Sequence, residues 1–327
     1  MTGEQVQGAT ARGAASTALL TGARALAVDA VTGEVVSAFK AAGIRSIVLK
    51  GPSIAGWLYE GAPRLYVDSD LLVAPHQLAA AHGVLAGLDF APPPSQDVLD
   101  IFSPQSARTW VRRAGAGQVD LHHTLVGVEA EPAETWTILA ESTTTMRVGG
   151  ADVEVLNLQG RAVHIALHAA QHGILHLKPL HDLARALEQL SEEGWRRAAA
   201  TAERLEATGA FATGLRLIPE GAALAARLGL PNRPSVQVAL RSRSASRAPV
   251  AFALAVEGLV TASGPRGKLV YLARKLAPPA VVVRERMRRE GKEPMSLPAA
   301  YLWRLALACR DALPGLATWW RARKEIG

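Results

Sequence analysis

The sequence predicts an α+β protein, with a mixed β-sheet flanked by helices in front and an all-helical region behind. Three observations predict it. Short apolar runs bounded by glycine and proline recur between Ile44 and Asn157, as strands do. Glycine-rich stretches at Ala114–Gly117 and Gly149–Gly150 separate pairs of such runs, as hairpin turns do. From Gln159 onward the pattern becomes helical and stays so. A chain of 327 residues is too long for one minimal core. The expected modules are 1–157, 158–240 and 241–327.

The elements follow in order. Ala14 to Ala42 is alanine-rich with few breakers and reads as a helix, ended by Gly43. Ile44 to Leu49 reads as a strand. Lys50-Gly51-Pro52-Ser53 is a turn, and Pro52 suits the first turn of a helix reaching Tyr59. After a Glu60–Pro63 loop, Leu65 to Val73 reads as a strand, and Pro75 opens a helix to about Leu88. Pro92-Pro93-Pro94 is a loop. Arg108–Arg113 and Val119–Thr124 form one hairpin, and the segments around Gly149-Gly150 form a second. Pro231, Pro234 and the Arg241–Arg247 stretch RSRSASR mark a linker or exposed loop. Pro278-Pro279 and Pro298 start later helices.

Composition bounds the function classes. Hydrophobic content of 49% with 20% charged residues is globular, not disordered. The single cysteine, Cys309, excludes an internal disulfide framework and a cysteine-rich zinc site, and fits a reducing cytoplasm. The first residues lack the continuous apolar region of a signal peptide, and no spanning helix is expected. From Arg233 to Gly327 there are 18 Lys and Arg against 6 Asp and Glu, whereas the remainder holds 18 against 23. The basic surplus suits either a solvated helical surface or attraction to nucleotide, nucleic acid, anionic lipid or an acidic partner.

The chemistry concentrates in IVLKGPSIAGWLYEGAPRLYVDSDLLV, from Ile47 to Val73. Asp68 and Asp70 are two apart in an apolar run, so a strand would point both to one face. Paired buried carboxylates repel each other and are costly to desolvate. A divalent cation removes both costs, and hard oxygen ligands favour Mg²⁺. Asp120, in QVDLHH, is the expected third carboxylate. Three carboxylates on neighbouring strands can hold two cations roughly 3.5–4 Å apart. Asp120 would also help deprotonate an attacking hydroxyl. The Lys50-Gly51 turn precedes a helix whose N–H groups and dipole favour phosphate, with Lys50 adding charge and Ser53 a hydroxyl. The competing expectation is structural aspartates paired with Arg64.

This ordered set resembles a bacterial family of largely uncharacterised nucleotidyltransferases in the polymerase-β-like superfamily. Leu49-Lys50-Gly51, Tyr59, Arg64, Asp68, Asp70-Leu71-Leu72-Val73 and Asp120-Leu121-His122 match its motifs in order. HIALHAAQHGILHLKPLHDLARAL and the later YLWRL resemble its helical region and tail. Ser69 and His123 depart from it, standing where an apolar residue and a tryptophan are usual. The resemblance implies a nucleotidyltransferase-type sheet in 1–157, a helical domain on the active site in 158–240 and a basic helical region in 241–327. It implies transfer of a nucleoside monophosphate from an NTP such as ATP to an unidentified acceptor, a small molecule or a peptide, with two Mg²⁺ ions and release of pyrophosphate. Natural-product tailoring is an allowed variant, because family members often sit near biosynthetic operons. The alternative is a nucleotide-binding accessory or regulatory protein on a non-catalytic version of the fold.

His164, His168, His172 and His176 recur every four residues, followed by His181-Asp182. Successive four-residue steps drift about 40° around a helix, so all four cannot ligate one ion. A packed helix with some histidines lining a pocket is favoured over a transition-metal site, with His172 and Asp182 as pocket candidates and His122 as a phosphate or metal contact. The Val281–Arg289 run and Trp303, Trp319 and Trp320 permit a peripheral membrane or RNA contact, with helical packing the simpler expectation. No nucleic-acid-binding module is visible.

Overall fold

The computed structural model describes residues 3–93, 106–174, 176–232, 239–240, 248–262, 264–278, 280–289, 291–293 and 295–326. Side chains at 1–18 and at a few later helical positions lie outside the description, as do Pro94 of the proline run, Pro234 and the 241–247 stretch. The described residues form two compact units, one comprising 1–92, 107–124 and 131–161, the other including 125–130 and 162–327.

The first unit opens with α1 (Gly3–Ala41). Gly43 ends it at φ 72°, and the Ile44 amide returns to the Phe39 carbonyl, a Schellman-type stop. Strand β1 (Ser46–Val48), helix α2 (Pro52–Leu58) and strand β2 (Ser69–Val73) follow. Then come a short 3₁₀ turn at Pro75–Gln77, α3 (Leu78–Gly87), β3 (Phe90–Ala91), β4 (Ala107–Arg112) and β5 (Gln118–His122). Helix α4 (Pro132–Ala140) and the β6 (Thr143–Val148)–β7 (Ala151–Leu156) hairpin complete the sheet. Its order is β3-β4-β5-β2-β1-β7-β6. It is mixed: β2 runs parallel to β5 and β1 to β7, and the other pairings are antiparallel.

Alternation along the strands decides which face does what. Leu71, Val73, Val119, Leu121, Val153 and Val155 enter one core with Val31, Val35 and Phe39 of α1 and Leu85 of α3. Asp70, Leu72, Asp120 and His122 are therefore presented on the opposite face. Strand β2 begins at Ser69, not at Leu65 as the apolar pattern suggested. Its neighbour β1 has three residues and pairs only with 71–73, while β5 pairs with 69–72, so 65–68 has no ladder to join. Ser69 points to α1, where the Thr32 hydroxyl lies 2.9 Å from its Oγ.

Helix α1 meets the β6–β7 turn backbone to backbone. Gly149 and Gly150 form the two-residue turn at φ 55° and 81°, values that glycine adopts without strain. A Cβ on Gly149 would lie 2.0 Å from the Asp29 carbonyl oxygen, and one on Gly33 would lie 2.5 Å from the Gly149 carbonyl oxygen.

The second unit contains the remainder of α5 (Leu158–His172), then α6 (Leu177–Gln189), α7 (Glu192–Arg204), α8 (Thr208–Leu215) and α9 (Pro219–Arg227). Ser191 caps α7 by accepting from the Gly194 amide at 3.2 Å. Trp195 and Phe211 are fully buried against each other, with ring centroids 6.2 Å apart. Helices α10 (Ala248–Thr261), α11 (Gly264–Leu276), α12 (Ala280–Arg289) and α13 (Leu297–Ile326) follow. Among the described residues, no helix is long and apolar enough to cross a membrane.

The contact between Gly33 and Gly149 gives a prediction with opposite signs at two helical glycines. Gly33→Ala lowers stability by about 1–3 kcal/mol through overpacking. Gly83→Ala in α3, where a Cβ meets nothing within 4 Å, raises it by about 0.5–1 kcal/mol. Urea unfolding of both variants measures this, and a shift of the same sign in both would contradict the close approach.

Candidate functional site

The site is assembled where β1, β2 and β5 lie side by side. Register pairs Asp70 with Asp120 across the parallel β2–β5 ladder, so their side chains emerge together on the face away from α1. Asp70 is 3% exposed, and a carboxylate so placed requires a cation. Lys50 supplies it from the end of β1, with Nζ 2.8 Å from Asp70 Oδ1. His122, two residues beyond Asp120 on the same strand face, places Nε2 3.1 Å from the same oxygen. Burial raises the Asp70 pKa, but the Lys50 charge and the His122 hydrogen bond outweigh it and hold the carboxyl well below the usual range. Burial likewise lowers Lys50, and Asp70, then Asp68 and Asp120, outweigh it and hold its ammonium above the ordinary lysine value. All three expected carboxylates therefore act electrostatically on one lysine. Asp68 is half-buried in the bend before β2, and Asp120 is half-buried with its Oδ1 atom enclosed and without a hydrogen-bond partner.

The turn that positions Lys50 is held from several sides. Gly51 has φ 60°, and a Cβ there would lie 3.3 Å from the Tyr66 ring. Tyr66 in turn donates its hydroxyl to Asp29 Oδ1 of α1 at 2.8 Å. Burial raises both partners: the phenol rises further through that bond, while the bond partly offsets the rise of the Asp29 carboxyl. Arg161, at the start of α5, reaches the Ser53 carbonyl at 3.3 Å and the Leu156 carbonyl at 2.7 Å. Tyr66 and Arg161 escaped the sequence reading, because a ring against a glycine and a guanidinium on backbone oxygens carry no local signal.

The remaining expected residues have definite places. Ser53 is fully buried and its hydroxyl donates to the Leu49 carbonyl at 3.1 Å, so it secures the helix start instead of offering a donor to phosphate. Arg64 is buried, with its guanidinium 6.0 Å over the Tyr59 ring. His172 and Asp182 belong to the second unit. There His164, His168, His172 and His176 form a row with successive ring centroids 6.3, 4.5 and 5.1 Å apart. The row outruns its helix: α5 ends at His172, Gly173 turns at φ 68°, and His176 stands at the N-cap position of α6 without a side-chain capping bond. Asp182 is buried in α6.

Whether the carboxylates suit a divalent cation is a question of donors and arrangement. The donor chemistry fits: Asp70 and Asp120 are adjacent oxygen ligands, and one enclosed Asp120 oxygen has no partner. Among the described residues, no group of three or more His, Cys, Asp or Glu side chains is arranged to hold a metal ion. Lys50 Nζ, 2.8 Å from Asp70 Oδ1, is the positive charge beside these carboxylates.

Two carboxylates on paired parallel strands, with a lysine beside them at a glycine turn that opens a helix, define the site. A model of the family described as uncharacterised nucleotidyltransferase matches residues 2–221. The chain belongs to that family. No curated protein matches it. Among solved structures it is similar to the antibiotic-resistance factor ANT(2'')-Ia, at 14% identity over 53% of this chain and 90% of that one, with a TM-score of 0.39. It is also similar to an antigenic nucleotidyltransferase-like protein from Paracoccidioides brasiliensis, at 12% identity over 55% and 92% of the two chains, with a TM-score of 0.33.

The buried ion pair sets a pH-dependent prediction. Lys50→Met leaves Asp70 without its nearest counter-charge and costs about 3 kcal/mol at neutral pH, the low end for a broken buried pair because His122 remains. Asp70 has a depressed pKa, so its contribution is present above about pH 4 and is lost as pH falls further. Lys50 has a raised pKa, so its contribution is present below about pH 10 and is lost as pH rises through its folded value. The deficit of the variant in urea unfolding should therefore shrink between pH 7 and pH 3. An unchanged deficit would show that the pair is not its cause.

Proposed function

We propose that the protein is a metal-dependent nucleotidyltransferase that moves a nucleoside monophosphate from an NTP to an acceptor hydroxyl, phosphate or amine. The observation that carries this reading is the side-by-side placement of Asp70 and Asp120 with an unpartnered Asp120 oxygen. Family membership supports it. Asp68, Asp70 and Asp120 would hold divalent cations, which supply charge neutralisation at the phosphates and at the attacking oxygen. Lys50 contributes a fixed positive charge for the triphosphate. His122 keeps Asp70 oriented. Asp120 accepts the acceptor's proton as the acceptor bonds to the α-phosphorus. The bond from that phosphorus to the bridging oxygen breaks, and pyrophosphate leaves with the electron pair.

One observation favours a second reading, a nucleotide-binding accessory protein without turnover: Lys50 already pairs with Asp70. The experiment separates the two. Purified protein is incubated with Mg²⁺, each NTP and a broad acceptor set, and pyrophosphate and acceptor mass are measured. Transfer is expected, with Asp70→Ala and Asp120→Asn each reducing kcat about 100-fold or more. Metal-dependent nucleotide binding with no pyrophosphate in any arm would move the assignment to the accessory role. Wild type indistinguishable from both variants would sink the transferase reading.

A further inference from the structure

Helix α13 is apolar on two opposite faces, and the described residues account for one of them. On the first face, Gly315 lies against Phe252 of α10 so closely that a Cβ would come within 2.6 Å of its ring. Ala322 shares a small core with Leu240 and Ala253, and the Trp319 indole donates to Glu257 at 2.6 Å. Further back, Ala300 packs with Val283 and Met287 of α12. The opposite face carries Leu302, Leu305, Leu313, Leu316 and Trp320, which are 67%, 52%, 79%, 43% and 65% exposed. Their spacings are three, eight, three and four residues, with exposed Cys309 midway in the longest gap, so they lie on one face over about five turns. Arg310, Arg321 and Lys324 flank the stripe and are exposed. Arg310 also contacts Asp311 at 2.8 Å.

A stripe of this size needs an occupant. Charge decides which. A second copy packed along the same face would bring these cations together, and among the described residues beside the stripe the acidic side chain is Asp311, already paired with Arg310. An anionic surface answers them directly. The region from Arg233 onward has 18 basic against 6 acidic residues, which extends the attraction beyond the helix. The helix is not apolar enough to cross a bilayer. We propose that the outward face of α13 docks on an anionic lipid bilayer, lying in the interface with its leucines and Trp320 in the acyl boundary and its arginines and lysine among headgroups.

The chain supplies its own reporter, because its single cysteine, Cys309, is exposed within the stripe. Full-length protein under reducing conditions is sedimented with vesicles of phosphatidylcholine alone or mixed with phosphatidylglycerol. A separate sample carries an environment-sensitive fluorophore on Cys309. Binding is expected only to the mixed vesicles, weakening with added salt, with the label shifting to shorter wavelength. Leu313→Gln with Trp320→Gln, and separately Arg310→Glu with Arg321→Glu and Lys324→Glu, should each reduce partitioning about tenfold or more while leaving the melting temperature unchanged. No binding to the mixed vesicles, or equal binding by wild type and variants, would overturn the proposal. So would concentration-dependent dimerisation in light scattering that the leucine and tryptophan substitutions abolish, which would assign the face to a second copy.

Discussion

The front unit is arranged around one buried charge. Asp70 lies on a central strand with almost no exposure, next to a second carboxylate at the paired position of a parallel neighbour. Nothing in the apolar surroundings would tolerate that without a cation. Lys50 is that cation, and its position depends on a sequence of contacts leading away from the site. Lys50 follows β1; Gly51 turns at positive φ, with the Tyr66 ring 3.3 Å from where a Cβ would be. Tyr66 is tethered to Asp29, and the α1 backbone at Asp29 sits against the Gly149 turn of the far hairpin. The long first helix thus braces the site from behind the sheet, while Arg161 holds the backbone at Ser53 from α5.

Much of this arrangement was legible beforehand, and the reason is the two-residue period of a strand. Leu71 and Val73, and Val119 and Leu121, must share a face with the core, so Asp70 and Asp120 must share the other. The same alternation carries no information about strand ends. Asp68 was expected inside the ladder and lies in the bend before it, because the start of β2 is set by its partners β1 and β5 and not by its own apolar run. Ser53 looked like a phosphate donor by its place after a glycine, but a buried serine in a helix readily satisfies the carbonyl four residues back. The histidine spacing fitted one helix, yet Gly173 ends that helix midway. Tyr66 and Arg161 act over long sequence distances, where a single sequence is silent.

The Lys50 pairing sharpens the chemical question. One ammonium faces three carboxylates, and it is committed to Asp70, as is His122. Asp120 keeps an enclosed oxygen with no hydrogen bond, a cost of roughly 1–3 kcal/mol that a structural aspartate has no reason to bear. A protein needing only an ion pair on this face could place asparagine or threonine at that position and bond it locally. That enclosed oxygen is the feature of Asp120 on which the proposed reaction rests. The charge balance favours the same view, since an incoming triphosphate adds negative charge that a single lysine cannot offset.

The uneven charge along the chain bears on how such a reaction would be deployed. Residues before Arg233 carry 18 basic against 23 acidic side chains, while those after it carry the basic surplus. An anionic surface attracts the basic C-terminal part of the chain, so approach through α13 is favoured by the long-range field before any leucine is buried. Burial then supplies what charge cannot: an exposed leucine side chain transferred from water is worth about 1.5–3 kcal/mol, and the stripe holds four with a tryptophan. Steering that fades with salt and anchoring that does not are separable contributions. A helix that exposes both together is placed to use them in that order.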